Sequence, residues 1–254
     1  MSQSQNAILD RTTRAAEKAW GFFDRVCCIS LGSRPDRRRS ALAEFERVGL
    51  AKRVQFVPVD KHPTDSEQGI FESHMACLRA ALAAGMQHIL VFEDDIQFHG
   101  FSHRNLSRAA RFLRQNPQWD LFFLGCWVKS SRKTRCPSVV HVRYLCAAHA
   151  YAINRAFAER LVQMPWRGVA FDDLLRSMKD LKVYAAYPAF AFQHDVASDN
   201  DKMSAIHRFR RFVGNQRLQK LNEFSRRHVV GLIASHVAAV LIVLLILRLC
   251  GKLP

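Results

Sequence analysis

Along the first two hundred positions, short apolar runs alternate with segments whose apolar residues recur every three or four places. The runs Val26–Leu31 (VCCISL), Val54–Val59 (VQFVPV), His88–Phe92 (HILVF), Asp120–Trp127 (DLFFLGCW) and Val139–Ile153 predict strands. Near-continuous hydrophobicity of this kind belongs to strands covered on both faces. Helical spacing predicts helices over Arg39–Val48, Ser73–Ala84, Asn105–Gln115 and Arg155–Gln163, with a short one beginning near Asp172. Val183–Phe192 contains Pro188, which cannot donate to a sheet ladder, so it reads as an edge or terminal strand. The alternation predicts an α/β domain on a mixed, largely parallel sheet.

The pattern changes at Val229. From there to Leu247 the chain reads VVGLIASHVAAVLIVLLIL, nineteen residues without a formal charge. As a helix rising about 1.5 Å per residue it would span roughly 29 Å, the thickness of a bilayer's hydrocarbon core. The organisation expected is therefore a lead-in over 1–24, a catalytic-type domain over 25–200, a basic segment over 201–228, a membrane span over 229–247 and a short tail over 248–254. Arg208, Arg210, Arg211, Arg217, Lys220, Arg226 and Arg227 precede the span, and only Arg248 and Lys252 follow it. The positive side faces the cytoplasm by the charge rule, which places the domain there. Within Ser204–Ser225, Phe209, Phe212, Val213, Leu218 and Leu221 lie among these bases. That pattern suits either a helix on an anionic lipid surface or one packing a face on the domain.

Charge and cysteine content narrow the partners. The formal net charge is +16, with basic stretches at Arg34–Arg39, Lys129–Arg135 and Arg208–Arg227. Such a balance favours nucleotide phosphates, acidic lipid headgroups or nucleic acid. Nucleic acid is not expected, because neither a recognition helix nor a basic sheet interleaved with aromatics is recognisable. Seven cysteines without a Cys-x-x-Cys pair predict reduced thiols, with no disulfide framework or zinc site.

The strongest candidate chemistry is Glu93-Asp94-Asp95, directly after a buried strand. Ligands of open α/β sheets bind outside the strands' carboxyl ends. Three successive carboxylates repel unless a cation or a set of donors compensates them; a divalent metal holding a diphosphate would do so, and a solvated acidic turn at the strand end is the alternative. Strand alternation would aim Glu93 and Asp95 to one side and Asp94 to the other. Asp60, ending the second strand, suits a ribose hydroxyl. Ser73-His74 would open a helix whose first turn suits a phosphate, with Ser73 as a cap in the alternative. Arg34 and Arg37 follow the first strand and could grip a diphosphate. Asp172-Asp173 reads as a helix-start pair or a general base, and His194 as a metal ligand or a loop histidine.

Taken in order, these segments resemble glycosyltransferase family 25, the lipooligosaccharide and collagen galactosyltransferase type. The likeness rests on Ile29–Arg37 (ISLGSRPDR), Glu67–His74 (EQGIFESH), Val91–Ile96 (VFEDDI), Trp119–Gly125 (WDLFFLG), His149–Leu161 (HAYAINRAFAERL) and Phe171–Leu175 (FDDLL). It departs from the family pattern at Ser30, Ile70 and Glu72, where asparagine, cysteine and leucine are usual. The resemblance implies a GT-A nucleotide-sandwich fold. It also implies inverting transfer of a sugar, galactose or another hexose, from a UDP-sugar to a saccharide or glycolipid acceptor such as a lipopolysaccharide core. It would place Mn2+ or Mg2+ at Asp95 with Glu93 and His194. The donor would lie among Ser30, Arg34, Arg37, Asp60, Ser73, His74 and Asp94. Asp172, ahead of Asp173, would be the base. An inactive, membrane-bound scaffold is the rival that the same resemblance admits.

Overall fold

The computed structural model describes residues 19–194 and 214–229. Among the described residues ten strands are present: β1 (Arg25–Leu31), β2 (Val54–Val59), β3 (His88–Glu93), β4 (Ile96–Phe98), β5 (Leu121–Phe123), β6 (Trp127–Lys133), β7 (Val139–Cys146), β8 (Ala150–Asn154), β9 (Val183–Ala186) and β10 (Ala191–Gln193). The α-helices among the described residues are α1 (Pro35–Arg47), α2 (Ser66–Ala83), α3 (His103–Gln115), α4 (Arg155–Leu161), α5 (Phe171–Ser177) and α6 (Asn215–Arg227). Eight strands form one sheet in the order β2-β1-β3-β8-β5-β9-β7-β6, and β4 pairs with β10 in a second. Pairing directions leave β8 and β7 antiparallel to the other six strands of the large sheet. The expected mixed, largely parallel α/β architecture is present.

Alternating residues of the buried strands feed two cores, one on each face of the sheet. Cys28 and Phe92 join Trp20, Phe45, Phe98 and Trp119 on one face. Cys27 and Val91 join Met75, Leu78, Tyr151 and Phe157 on the other. Trp20 is wholly buried, donates its indole N–H to the Val48 carbonyl at 2.9 Å and stacks on Phe101. Residues just before β1 are thereby part of the core.

Several boundaries differ from the sequence reading. The helix expected at Ser73 begins at Ser66, because Asp65 caps it, its Oδ1 accepting from the Glu67 and Gln68 amides. Ser73 is accordingly neither a cap nor at a helix start. The helix after β1 begins at Pro35, whose fixed φ suits a first turn. The run Val139–Ile153 is broken near Ala147, where φ is 76°, and yields β7 and β8. Val183–Phe192 is not an edge: β9 lies inside the sheet between β5 and β7, Pro188 falls beyond it, and β10 joins the small sheet. The proline tolerated in the large sheet is Pro58 of edge strand β2.

α6 is fastened to the domain by polar contacts. Asn222 pairs with both backbone groups of Val128, accepting at 3.0 Å and donating at 3.1 Å. Glu223 accepts from the Ala189 amide at 2.9 Å, and buried Gln219 donates to the Ala191 carbonyl. Of the two arrangements open for the basic segment, α6 adopts packing on the domain. Among the described residues no helix is long and apolar enough to cross a membrane. The span read at Val229–Leu247 lies outside them except for its first residue, as do residues 204–213 and most of the lead-in.

Gly125 is where α6, β10 and the sheet meet. A Cβ there would stand 1.9 Å from the Ala191 carbonyl oxygen and 2.8 Å from Gln219 Nε2. Gly125→Ala is expected to cost about 3 kcal/mol, the upper part of the range for overpacking, because backbone must move. Urea unfolding checks this, and an unchanged midpoint would contradict it.

Candidate functional site

β1 and β3 run in parallel with Ile29 beside Glu93, so the chain leaves both strands at one edge of the sheet. At the same edge the Gly32 amide donates to Val59 at 2.8 Å, and Asp60 lies over Gly32, its Oδ1 3.8 Å from where a Cβ would stand. Ser30 is buried on β1 and its hydroxyl has no partner. The first turn of α1 brings Arg37 to Asp94, Nη1 to Oδ1 at 3.3 Å, with both side chains nearly buried. Arg34 instead grips Asp36 through Nε and Nη2, which holds that carboxyl down at about 2. A small cleft opens here, lined by Asp36, Arg37, Ser40, Asp94, Asp95 and His194. His194 is exposed, and its amide donates to the Asp95 carbonyl at 2.6 Å.

The strand alternation expected through the acidic block does not hold. β3 ends at Glu93, and Asp94 and Asp95 form a turn, so both line this cleft while Glu93 meets α2. There Glu93 Oε1 stands 3.5 Å from His74 Nε2. His74 is buried, its Nδ1 lies 3.0 Å from the Tyr151 hydroxyl, and its ring stacks on Phe171 at 4.2 Å. Burial lowers its pKa to about 4 against the opposing pull of Asp172, so the imidazole is neutral near pH 7. Ser73 gives its hydroxyl to the Gly69 carbonyl at 2.6 Å within the same helix.

Asp172 approaches from the first turn of α5. Its Oδ1 accepts from the Tyr144 hydroxyl and from the Ala148 amide at 3.0 Å, and its Oδ2 accepts from the Ala147 amide at 2.8 Å. A carboxylate offers about four acceptor positions, so one remains, on Oδ2. Asp173 points away and pairs with Arg176 at 2.6 Å, 48 % exposed, which removes it from the site. Tyr144 and Tyr151 were not legible as site residues. The partner of Tyr151 lies 77 positions away, and no local pattern announces that contact.

Electrostatics dominates this end of the sheet. Glu93 is raised from 4.5 to about 8, first by lost hydration, then by Asp172 and Asp94, with Arg37 opposing. Asp95 is raised from 3.8 to about 8 by lost hydration and then by Glu93, again against Arg37. Asp94 Oδ2 and Asp95 Oδ1 are buried without a hydrogen-bond partner. Among the described residues no three His, Cys, Asp or Glu side chains converge as a metal-ligand set. The expected grouping of Glu93, Asp95 and His194 is therefore not assembled. The unpaired oxygens do fit a hard cation that takes its remaining ligands from water and phosphate, as Mg2+ commonly does.

Both raised carboxyls hold protons where the unfolded chain has lost them, so the folded state binds more protons between about pH 4 and pH 8. Without divalent cations, the contribution of these two carboxyls to stability falls as pH rises through that window, while His74 and His149, buried and neutral, contribute in the opposite sense up to about pH 6.5. Glu93→Gln is expected to change little near pH 5 and to stabilise by on the order of 1–2 kcal/mol near pH 8, allowing for its partial exposure. Thermal melts of parent and variant across this range check it; a variant advantage that does not grow between pH 5 and pH 8 would contradict the sign.

No family model matches the chain. Curated relatives do. Inactive glycosyltransferase 25 family member 3 of Homo sapiens is 28% identical over 208 residues, 69% of this chain and 35% of that protein. A glycosyltransferase 25 family member of Drosophila melanogaster is 26% identical over 43% of this chain and 22% of its own length. Procollagen galactosyltransferase 1 of Danio rerio is 26% identical over 56% and 28%. The chain spans about a third of the length of the mammalian relatives it matches. Likeness to solved structures is remote: UDP-glucose pyrophosphorylase gives a TM-score of 0.41 at 11% identity, over 71% of this chain and 78% of that one. The sequence relatives of this chain are thus glycosyltransferase 25 family members, some of which are named inactive.

Proposed function

We propose that the protein transfers a hexose from a UDP-sugar to a saccharide or glycolipid acceptor, with inversion at the anomeric carbon. The observation that carries this reading is the cleft at the ends of β1 and β3, where Arg37 pairs with Asp94 Oδ1 while Asp94 Oδ2 and Asp95 Oδ1 are buried without a partner. Asp95, beside Asp94 and with His194 at the rim, would hold Mg2+ or Mn2+ together with donor phosphate oxygens. When bound, the cation supplies charge neutralisation for the departing diphosphate. Asp60 beside Gly32 suits the ribose, and Arg37 would remain within reach of the phosphates as Asp94 turns toward the cation. The acceptor hydroxyl forms the new bond to the anomeric carbon as the bond to the diphosphate oxygen breaks. Asp172 takes its proton through the open position on Oδ2, held in place by Tyr144 and the Ala147 and Ala148 amides. Val229–Leu247 would anchor the domain on the cytoplasmic side of a membrane, where a lipid-linked acceptor is concentrated.

A second reading, a non-catalytic membrane-bound scaffold, is favoured by the relatives named inactive and by the three donors already on Asp172. A screen of UDP-sugars with detergent-solubilised protein, reading released UDP, separates the two. Asp95→Asn is expected to lower metal-dependent transfer about a hundredfold or more. Asp172→Asn is expected to lower it roughly 10²–10⁴-fold while sparing donor binding. Nucleotide binding that no divalent cation enhances, with no turnover, would favour the scaffold. Full activity in Asp95→Asn would remove the cation from that residue.

A further inference from the structure

From Ile96 to Ala158 the chain carries ten Lys and Arg residues and one carboxylate, Asp120. Much of this charge gathers on α3 and the tip of the β6–β7 hairpin. α3 buries Leu106, Ala109, Ala110 and Leu113, and it exposes Arg104, Arg108 and Arg111 on the opposite side. The β6–β7 hairpin adds exposed Lys133 and Arg135 beside them. Its position is set by the Cys136 thiol, which donates to the Arg108 carbonyl, and by Ser138, which donates to Asn105. None of these five basic side chains forms an ion pair with a described residue. The other end of β6 carries exposed Lys129, next to the Val128 backbone that Asn222 of α6 holds. Lys220 of α6 reaches within 3.5 Å of His99, four residues before α3. The outer side of α6 then exposes Leu221 at 61 %, Phe224 at 52 % and, just beyond it, Val229 at 42 %.

We propose that α3, the β6–β7 hairpin and the outer side of α6 form a face that lies against an anionic lipid bilayer. Juxtamembrane basic residues are drawn to acidic headgroups, and apolar side chains among them enter the interface. Two observations favour lipid over nucleic acid. No large hydrophobic or aromatic side chain is exposed on α3 or the hairpin to stack on bases. The apolar groups are instead on α6, and two residues past its end the nineteen-residue apolar run begins. The inference rests on the membrane reading of that run but not on catalysis. It goes further by fixing which side of the domain meets the bilayer.

The test is lysine acylation of the 254-residue chain in nanodiscs of phosphatidylcholine alone or of phosphatidylcholine with phosphatidylglycerol. Lys129 and Lys133 are expected to react several-fold more slowly in the anionic discs, and the protection should vanish at high salt and in the R104E/R108E/R111E variant. Equal reactivity of the parent protein in both discs would overturn the proposed face. Protection by a single-stranded oligonucleotide, without any by anionic lipid, would overturn it in favour of nucleic acid. A chain recovered outside the discs would overturn the membrane span itself, and UDP release measured separately reports on the proposed transfer.

Discussion

Negative charge at the carboxyl end of β3 is what the surrounding structure has to accommodate. Glu93, Asp94 and Asp95 are consecutive, and Asp172 bears on Glu93 from α5. Against them the described residues set Arg37, whose influence lowers both Glu93 and Asp95 without offsetting their lost hydration. Each like charge brought near another in a partly dry site raises the cost of ionising both. Protons relieve that cost in the unliganded protein, and a cation would relieve it without them. The parallel pairing of β1 with β3 and the immediate start of α1 at Pro35 are what bring Arg37 to this place.

Asp172 answers the same pressure differently. Three donors surround it, and two are backbone amides from the bend at Ala147, where a non-glycine residue adopts a positive φ. The carboxylate and the bend support each other: the bend supplies amides, and the carboxylate satisfies them. His74 ties this half of the site to the acidic block, because its ring stacks on Phe171 while its Nε2 faces Glu93. Burial keeps that imidazole neutral, so the link adds no positive charge to the balance. A change at either half is felt at the other both through the packing of His74 on Phe171 and through the charge of Asp172 on Glu93.

The sheet was legible where apolar runs were long. β1, β2 and β3 fall close to VCCISL, VQFVPV and HILVF, and the position of the acidic block at a strand's carboxyl end followed from them. Helix starts were less legible. α2 extends seven residues upstream of Ser73 because Asp65 caps it, a signal present in the sequence as Asp65 followed by Gln68 three places on. The cost of missing it was to treat Ser73 and His74 as phosphate-binding residues at a helix start. β6 escaped because it reads Trp-Val-Lys-Ser-Ser-Arg-Lys, a polar edge strand whose charges guard an open ladder. The contacts of Tyr144 and Tyr151 with Asp172 and His74 depend on tertiary placement, which no local pattern carries.

Some relatives of this chain are named inactive, which raises the question of what a non-catalytic protein would gain from such a site. A scaffold is served best by a dry, fully paired core, because unpaired buried polar atoms destabilise it by about 1–3 kcal/mol each. The opposite is found at the end of β3. Asp94 Oδ2 and Asp95 Oδ1 are buried without partners, and both line the cleft that Arg37 also reaches. Asparagine at either place would remove the charge at nearly constant volume. Retaining both carboxylates is costly unless something enters the cleft that they can hold. A hard cation carrying phosphate oxygens satisfies the unpaired atoms and lowers the repulsion in one step. Under the proposed function the acidic block is there to hold a ligand, and the choice between transfer and mere binding falls on the open lone pair of Asp172.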